Sequence, residues 1–250
     1  MIDLQGKKAL ITGAGRGLGR GMATGLYKAG AEIVILDILE DVFKTSAEME
    51  ENGAKVHSII CDLSNRENRI EGFEKALELL GGKIDILVNA AGIIDRFPAI
   101  DLPMETWDKV LEVNLTAVMD LSRLAARQMV PQKSGKIINV ASMHSFFGGF
   151  NVTTYASSKG GVAQLTKALS NQLAIDGIQV NAIAPGFIQS FMTSHHEEDP
   201  ELYAQLMSRI PTGRLGQPED LEGITMFLAS NLSNYITGTV IPVDGGYLVR

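Results

Sequence analysis

The sequence lacks several things, and each absence removes a class of protein. One cysteine, Cys61, stands among 250 residues. No disulfide can close within the chain, so a reducing compartment such as the cytoplasm is expected. Cys61 itself reads as a small buried residue at a strand end. No apolar run approaches the roughly 20 residues needed to cross a bilayer. The opening Met1-Ile2-Asp3-Leu4-Gln5-Gly6-Lys7-Lys8 has no apolar leader core before the first strand-like run. Positive charge is scarce: 22 Lys and Arg against 29 Asp and Glu leave a net charge of −7, with a pI near 5.2. That balance argues against nucleic acid and against an anionic membrane surface, so the expected partner is a small molecule. His195 and His196 lie beside Glu197, Glu198 and Asp199, but no matched ligand set accompanies them and no metal is expected. No linker, repeat or low-complexity tract divides the chain, and its length suits one α/β domain.

What is present alternates. Short, β-branched runs apolar on both faces recur at Lys8–Thr12, Glu32–Leu36, Val56–Ile60, Ile84–Val88, Lys136–Val140, Ile178–Ile183 and Thr239–Val243. Such runs mark parallel strands covered on both sides. Helical stretches lie between them, among them 17–29, 104–130 and 154–175. Strand–helix alternation predicts a doubly wound sheet of seven parallel strands, a Rossmann-type α/β fold. The least regular stretch, 187–200, is polar and reads either as a mobile lid over the strand ends or as a solvated loop.

Thr12-Gly13-Ala14-Gly15-Arg16-Gly17-Leu18-Gly19 joins the first strand to the first helix. Glycines let backbone turn tightly against a pyrophosphate, and the helix N-terminus beyond offers N–H groups and a positive dipole end. The spacing that fits is G-x-x-x-G-x-G on Gly13, Gly17 and Gly19. Asp37, after the second strand, can accept hydrogen bonds from an adenosine ribose and repels a 2′-phosphate. This favours NAD; Arg16, a cation in the glycine loop, keeps NADP open. Asp62, after the third strand, can bond the adenine amino group or cap the helix starting near Ser64. Asn89-Ala90-Ala91-Gly92 brings a thin backbone segment to the same edge.

Tyr155 and Lys159 are four residues apart, about one helical turn, and so share a helix face. A cation beside a phenol favours the phenolate. Ser142 lies thirteen residues upstream of Tyr155, at the end of an apolar run. A hydroxyl that holds an alcohol or carbonyl oxygen, and a tyrosine able to pass its proton, suit hydride chemistry at a secondary alcohol.

These pieces together resemble the short-chain dehydrogenase/reductase family over essentially the whole chain. The matching motifs are T-G-x-x-x-G-x-G at Thr12–Gly19, Cys61-Asp62-Leu63, Asn89-Ala90-Ala91-Gly92, Asn114, Ser142, Tyr155 with Lys159, Pro185-Gly186 and Asp244-Gly245-Gly246. One departure is visible: Ala90 stands where the family usually has asparagine, which removes an amide contact but no catalytic group. The resemblance implies that Tyr155 is the general acid/base and that Lys159 lowers its pKa and bonds the nicotinamide ribose. It implies that Ser142 orients the substrate oxygen and that Asn114 holds a water leading to Lys159. Gly13, Arg16, Gly17, Leu18, Gly19, Asp37, Asp62, Leu63, Asn89, Ala91, Gly92, Pro185, Gly186 and Ile188 then surround NAD.

In this family the substrate meets the segments after strands four, five and six, here 92–98, 143–150 and 187–196. The first holds Arg96, which either grips a carboxylate bidentately or is a solvated loop cation. His144 either contacts substrate hydroxyls or is a wall of the pocket, and Gly149 lies on the same segment. The motifs G-I-I-x-R, A-S-M-x-S-F-x-G-G, R-I-P-x-G-R and V-D-G-G-Y resemble most the gluconate and deoxygluconate dehydrogenases, implying a sugar acid or polyol. The rival is a 3-oxoacyl carrier-protein reductase using NADPH, disfavoured by Asp37 and the acidic charge. A non-catalytic nucleotide sensor is the remoter rival. The long helices 104–130 and 154–175 imply a homotetramer by resemblance; burial within one chain also explains their apolar faces.

Overall fold

Consecutive residues of a strand point to opposite faces, and the second strand shows the consequence: Ile33, Val34, Ile35 and Leu36 are at most 1% exposed. Ile33 and Ile35 join one core with Ile11, Met22 and Leu26, while Val34 and Leu36 join another with Leu10, Leu87 and Phe73. Helices therefore cover both faces of the sheet. A computed structural model describes residues 2–189 and 200–250. In it the strands are β1 Lys8–Thr12, β2 Glu32–Asp37, β3 Val56–Ile60, β4 Ile86–Asn89, β5 Gly135–Val140, β6 Ile178–Pro185 and β7 Val240–Val243. The helices are α1 Gly17–Lys28, α2 Asp41–Glu51, α3 Arg66–Leu79, α4 Met104–Leu111, α5 Ala117–Gln132, α6 Thr153–Leu173, α7 Pro200–Arg209 and α8 Glu222–Ala229.

The described strands form one sheet in the order β3-β2-β1-β4-β5-β6-β7, and every pairing is parallel. The order reverses between β1 and β4, and a crevice opens there at the carboxyl ends of the strands, where such folds bind ligands. The seven-stranded Rossmann architecture expected from the sequence is present.

Some boundaries differ. β4 starts at Ile86 rather than Ile84 and runs on to Asn89, whose buried Nδ2 donates to Asn139 across the sheet and to Ser122 of α5, while its Oδ1 has no partner among the described residues. β6 extends to Pro185, which pairs with Val243 of the edge strand β7, where a missing N–H is tolerated. The helix expected over 104–130 is two helices separated by a π turn, Glu112–Thr116. The Ala117 N–H reaches back five residues to the Glu112 carbonyl, so the turn holds one residue more than an α turn. Apolar periodicity continues through it, which is why the sequence reads as unbroken. The helix expected over 154–175 spans Thr153–Leu173 and ends through a short turn at Gly177, whose φ is +72°. Of the segment 187–200, only 187–189 and the start of α7 are described; His195 and His196 lie outside the described residues. Gln189 N–H donates to the Gly216 carbonyl at 2.8 Å.

Candidate active site

The glycine turn between β1 and α1 is shaped by close backbone approach. Gly13 has φ +66°, and a Cβ there would sit 2.6 Å from Ala91 Cα. A Cβ on Gly19 would run into the Gly13 carbonyl oxygen. α1 starts at Gly17 with no side-chain cap, and Arg16 occupies the residue before it. The N–H groups of that first turn receive no side-chain cap, as an anion site requires. These features fit a pyrophosphate.

Hydrogen bonds fix the loops around the turn. Asp37 Oδ2 accepts the Gly15 N–H at 2.9 Å and Oδ1 accepts the Leu39 N–H at 3.0 Å, which places the carboxylate beside the glycine turn. The Thr12 hydroxyl accepts the N–H groups of Ala90 and Ala91, each at 3.1 Å. Asn89 spends its amide N–H groups on Ser122 and Asn139, so it brings backbone, not side chain, to the crevice. The cap of α3 is Asn65, which accepts the Asn68 N–H, so the capping alternative for Asp62 falls. Asp62 Oδ1 instead accepts the Ser64 N–H and hydroxyl in a local turn. Next to it the Leu63 carbonyl accepts from Arg69. Cys61 is buried, as expected, and burial pushes its thiol up to about 11.

Ser142, Tyr155, Lys159 and Asn114 meet at the ends of β4 and β5. Ser142 follows β5 by two residues, and its Oγ accepts the His144 N–H at 3.1 Å. Ser145 Oγ accepts the Ser142 N–H at 3.3 Å and donates to the Lys159 carbonyl at 2.7 Å, tying that loop to α6. Lys159 Nζ donates to the Val140 carbonyl at 2.6 Å and lies 5.7 Å from the Tyr155 ring centroid. Asn114 is wholly buried in the π turn. Its Oδ1 accepts the Ile93 N–H, and its Nδ2 donates to the Ile93 carbonyl and to Ser158 Oγ. Ser158 in turn donates to the Tyr155 carbonyl at 2.7 Å. Gly92 keeps the space between them clear: a Cβ there would lie 3.4 Å from Asn114 Oδ1 and 3.6 Å from Lys159 Nζ.

The electrostatics refine the proton argument. Burial raises the Tyr155 phenol above its ordinary value; a hydrogen bond from Ser142 and the Arg96 charge pull it down. Arg96 thus joins Lys159, 5.7 Å from the ring centroid, as a cation near the phenol. Burial lowers Lys159 to about 8, since a low-dielectric site disfavours the ammonium. Burial also lowers the His144 imidazole, with a hydrogen bond to the Phe147 backbone working the other way.

The residues expected on the substrate and nicotinamide sides are placed as follows. The His144 ring packs edge-on to Tyr155, 5.9 Å between centroids. Gly149 makes room for it: a Cβ there would lie 2.6 Å from His144 Cε1. Gly186 packs on the Asp244 backbone, where a Cβ would come within 2.6 Å of Cα, and its N–H donates to Val243 at 2.9 Å. Ile188 is 3% exposed and bridges to Gly216. Thr12 belongs to the glycine motif, whereas Ser145 and Ser158 carry no motif of their own. Their hydroxyls do their work through backbone, which leaves no spacing signature.

Comparison with known proteins agrees with this geometry. A family model described as enoyl-(acyl carrier protein) reductase matches residues 13–248. The 2-dehydro-3-deoxy-D-gluconate 5-dehydrogenase of Dickeya dadantii is 44% identical over 250 residues, covering 100% of this chain and 98% of that protein. A gluconate 5-dehydrogenase from Burkholderia cenocepacia, solved with NADP and tartrate, superposes with a TM-score of 0.94 at 35% identity, covering 100% and 98% of the two chains. A xylitol dehydrogenase with bound NAD⁺ gives 0.91 at 33% identity, covering 97% and 99%.

Proposed function

Because this chain belongs to the short-chain dehydrogenase/reductase family and is an NAD(P)-dependent oxidoreductase of CH–OH groups, we propose that it interconverts a sugar acid of the gluconate or deoxygluconate type and its keto form, with NAD preferred. The observation that carries the sugar-acid reading is the Arg96 charge acting on the Tyr155 phenol. A guanidinium is the group best suited to a carboxylate, and this reading sets Arg96 on the substrate side of Tyr155. The tartrate held by the Burkholderia relative is itself a hydroxy acid. The preference for NAD rests on Asp37 beside the glycine turn. That relative's NADP is the reason to test it.

In the direction of oxidation, Ser142 holds the substrate hydroxyl and Tyr155 takes its proton. General acid/base catalysis of this kind contributes roughly 10²–10⁴-fold. Lys159 then takes the proton from the phenol and passes it to a water held by Asn114, which delivers it to solvent. Arg96 holds the substrate carboxylate, and His144 faces its hydroxyls. Gly13–Gly19, Asp37, Asp62, Leu63, Asn89–Gly92 and Pro185–Ile188 would hold the nicotinamide cofactor, which would supply the hydride acceptor. The same reading takes α4–α5 and α6 as the faces that join four copies, which light scattering tests.

The test follows NADH absorbance with sugar acids, polyols and 3-oxoacyl thioesters, NAD and NADP in parallel. Sugar-acid turnover with NAD is the expected result. Activity on thioesters alone overturns the substrate; activity with NADP alone overturns the role of Asp37.

A further inference from the structure

Arg69 on α3 is 0% exposed, among the largest fully buried side chains of the protein, and none of the chemistry above uses it. A buried guanidinium is costly to desolvate and persists only where its donors are well placed. Its Nη1 donates to the Leu63 carbonyl at 2.6 Å and to Glu112 Oε1 at 2.8 Å, and its Nε donates to Asp120 Oδ2 at 3.1 Å.

Those three partners sit at particular places. Leu63 belongs to the loop after β3, on the adenine side of the crevice. Glu112 opens the π turn and supplies the carbonyl that closes its five-residue hydrogen bond. Asp120 lies on the first turn of α5, just past the end of that π turn. One guanidinium therefore grips the wide turn on both flanks, with Asn114 between them, and holds the adenine-side loop with its remaining reach. A π turn needs outside support, because it forfeits regular α-helical spacing.

We propose that Arg69 is a positioning residue that sets the adenine-side loop and the Asn114 turn together, through Leu63 on one side and Glu112 on the other. This rests on Asn114 belonging to the catalytic set. Two bonds leave the same guanidinium for the two halves of the site, so they separate by mutation. Glu112→Gln weakens only the link to the π turn. Arg69→Met weakens both. In Arg69→Met, Asp120 keeps Arg123 at 2.6 Å and Arg66 at 3.8 Å, while the Leu63 carbonyl loses its donor, so a lower melting temperature is expected. Glu112 has a side chain 34% exposed and can be hydrated instead.

The experiment uses the full chain and four measurements: melting temperature, NADH affinity by fluorescence, hydrogen exchange at the Ile93 amide, and kcat and KM for gluconate with NAD. The Ile93 N–H is bonded to Asn114, so its exchange reports the turn without any turnover. Glu112→Gln should speed Ile93 exchange about tenfold and lower kcat with NADH affinity and KM unchanged. Arg69→Met should do the same and also weaken NADH about tenfold. Arg69→Lys, which can keep one of the three bonds, should fall between. Exchange that rises evenly over the whole chain, or NADH affinity and Ile93 exchange that stay at wild-type values in Arg69→Met, overturns the proposal. Asn114→Ala is the control: wild-type kcat there sinks the catalytic reading of Asn114, while the exchange and NADH results still decide the role of Arg69.

Discussion

The Asn114 carboxamide and the Ile93 backbone are joined by two hydrogen bonds, Oδ1 accepting the N–H at 2.9 Å and Nδ2 donating to the carbonyl at 2.8 Å. This closed pair fixes the loop after β4 against the π turn. Through Ser158, 3.1 Å from the same Nδ2, it also ties that loop to the helix carrying Tyr155 and Lys159. The position of the Gly92–Ile93 segment and that of the proton-handling residues are thereby one geometry.

Asn114→Leu keeps the branching of the side chain and removes every one of these bonds. It leaves the half-buried Ile93 N–H and carbonyl without these partners, at up to about 1–3 kcal/mol each. Urea denaturation should show a loss in that range. Turnover should drop about tenfold to a hundredfold through misplacement alone. Unchanged stability and rate would show that the pair holds nothing.

The Arg96 charge lowers the Tyr155 phenol against burial, which raises it. Removing the cation in Arg96→Gln lets the phenol rise further. The limb of kcat/KM for alcohol oxidation that reports its ionisation should then move to higher pH. KM for a sugar acid should rise about tenfold or more, a charge-assisted hydrogen bond being worth roughly 1.5–3 kcal/mol, with KM for a neutral polyol little changed. A limb that stays in place, or equal effects on acid and polyol, would put Arg96 outside the site.

Asp37→Asn keeps an oxygen to accept from backbone and removes the charge that faces a 2′-phosphate. The ratio of NAD to NADP efficiency should shift about tenfold to a hundredfold toward NADP. Steady-state rates with both cofactors measure it; an unmoved ratio assigns the discrimination elsewhere.

At the opposite edge of the sheet, burial lowers Lys136 from its ordinary 10.5 to about 8, with the Lys7 charge adding to it. Its Nζ donates to Ser233 Oγ and Asn234 Oδ1. Between those two pH values the unfolded chain holds this proton and the folded chain does not, so the group makes stability rise with pH. Below about pH 8 the whole cost of the buried charge is carried. Lys136→Met should make the slope of melting temperature against pH less positive across that window, where Lys159 acts in the same direction and Cys61 in the opposite one. An identical slope would mean that Lys136 is hydrated in solution.

Much of the fold and part of the site were legible because their signals are local. β1 and β3 fall on the residues expected, since period-free aliphatic runs have one structural use here. Gly13, Gly17 and Gly19, and the Tyr155–Lys159 turn, depend on spacings of a few residues. Arg69 left no such mark. Arg66-Glu67-Asn68-Arg69 reads as a solvated helix start, and the partners that bury it lie 43 and 51 residues away at Glu112 and Asp120. The π turn was hidden for a related reason: an inserted residue changes hydrogen bonding, not composition. The motif at Asn89 announces a backbone segment at the crevice, but only the sheet reveals that its Nδ2 is taken by Ser122 and Asn139.

The most direct measurement is on Tyr155→Phe, which removes one hydroxyl from a ring held between His144 and Lys159. NADH binding by fluorescence and turnover of sugar acids with NAD are read on the same preparation. NADH affinity close to wild type with turnover lowered at least about a hundredfold is the result predicted. Turnover near the wild-type rate would contradict proton transfer by Tyr155 and, with it, the reaction assigned to this site.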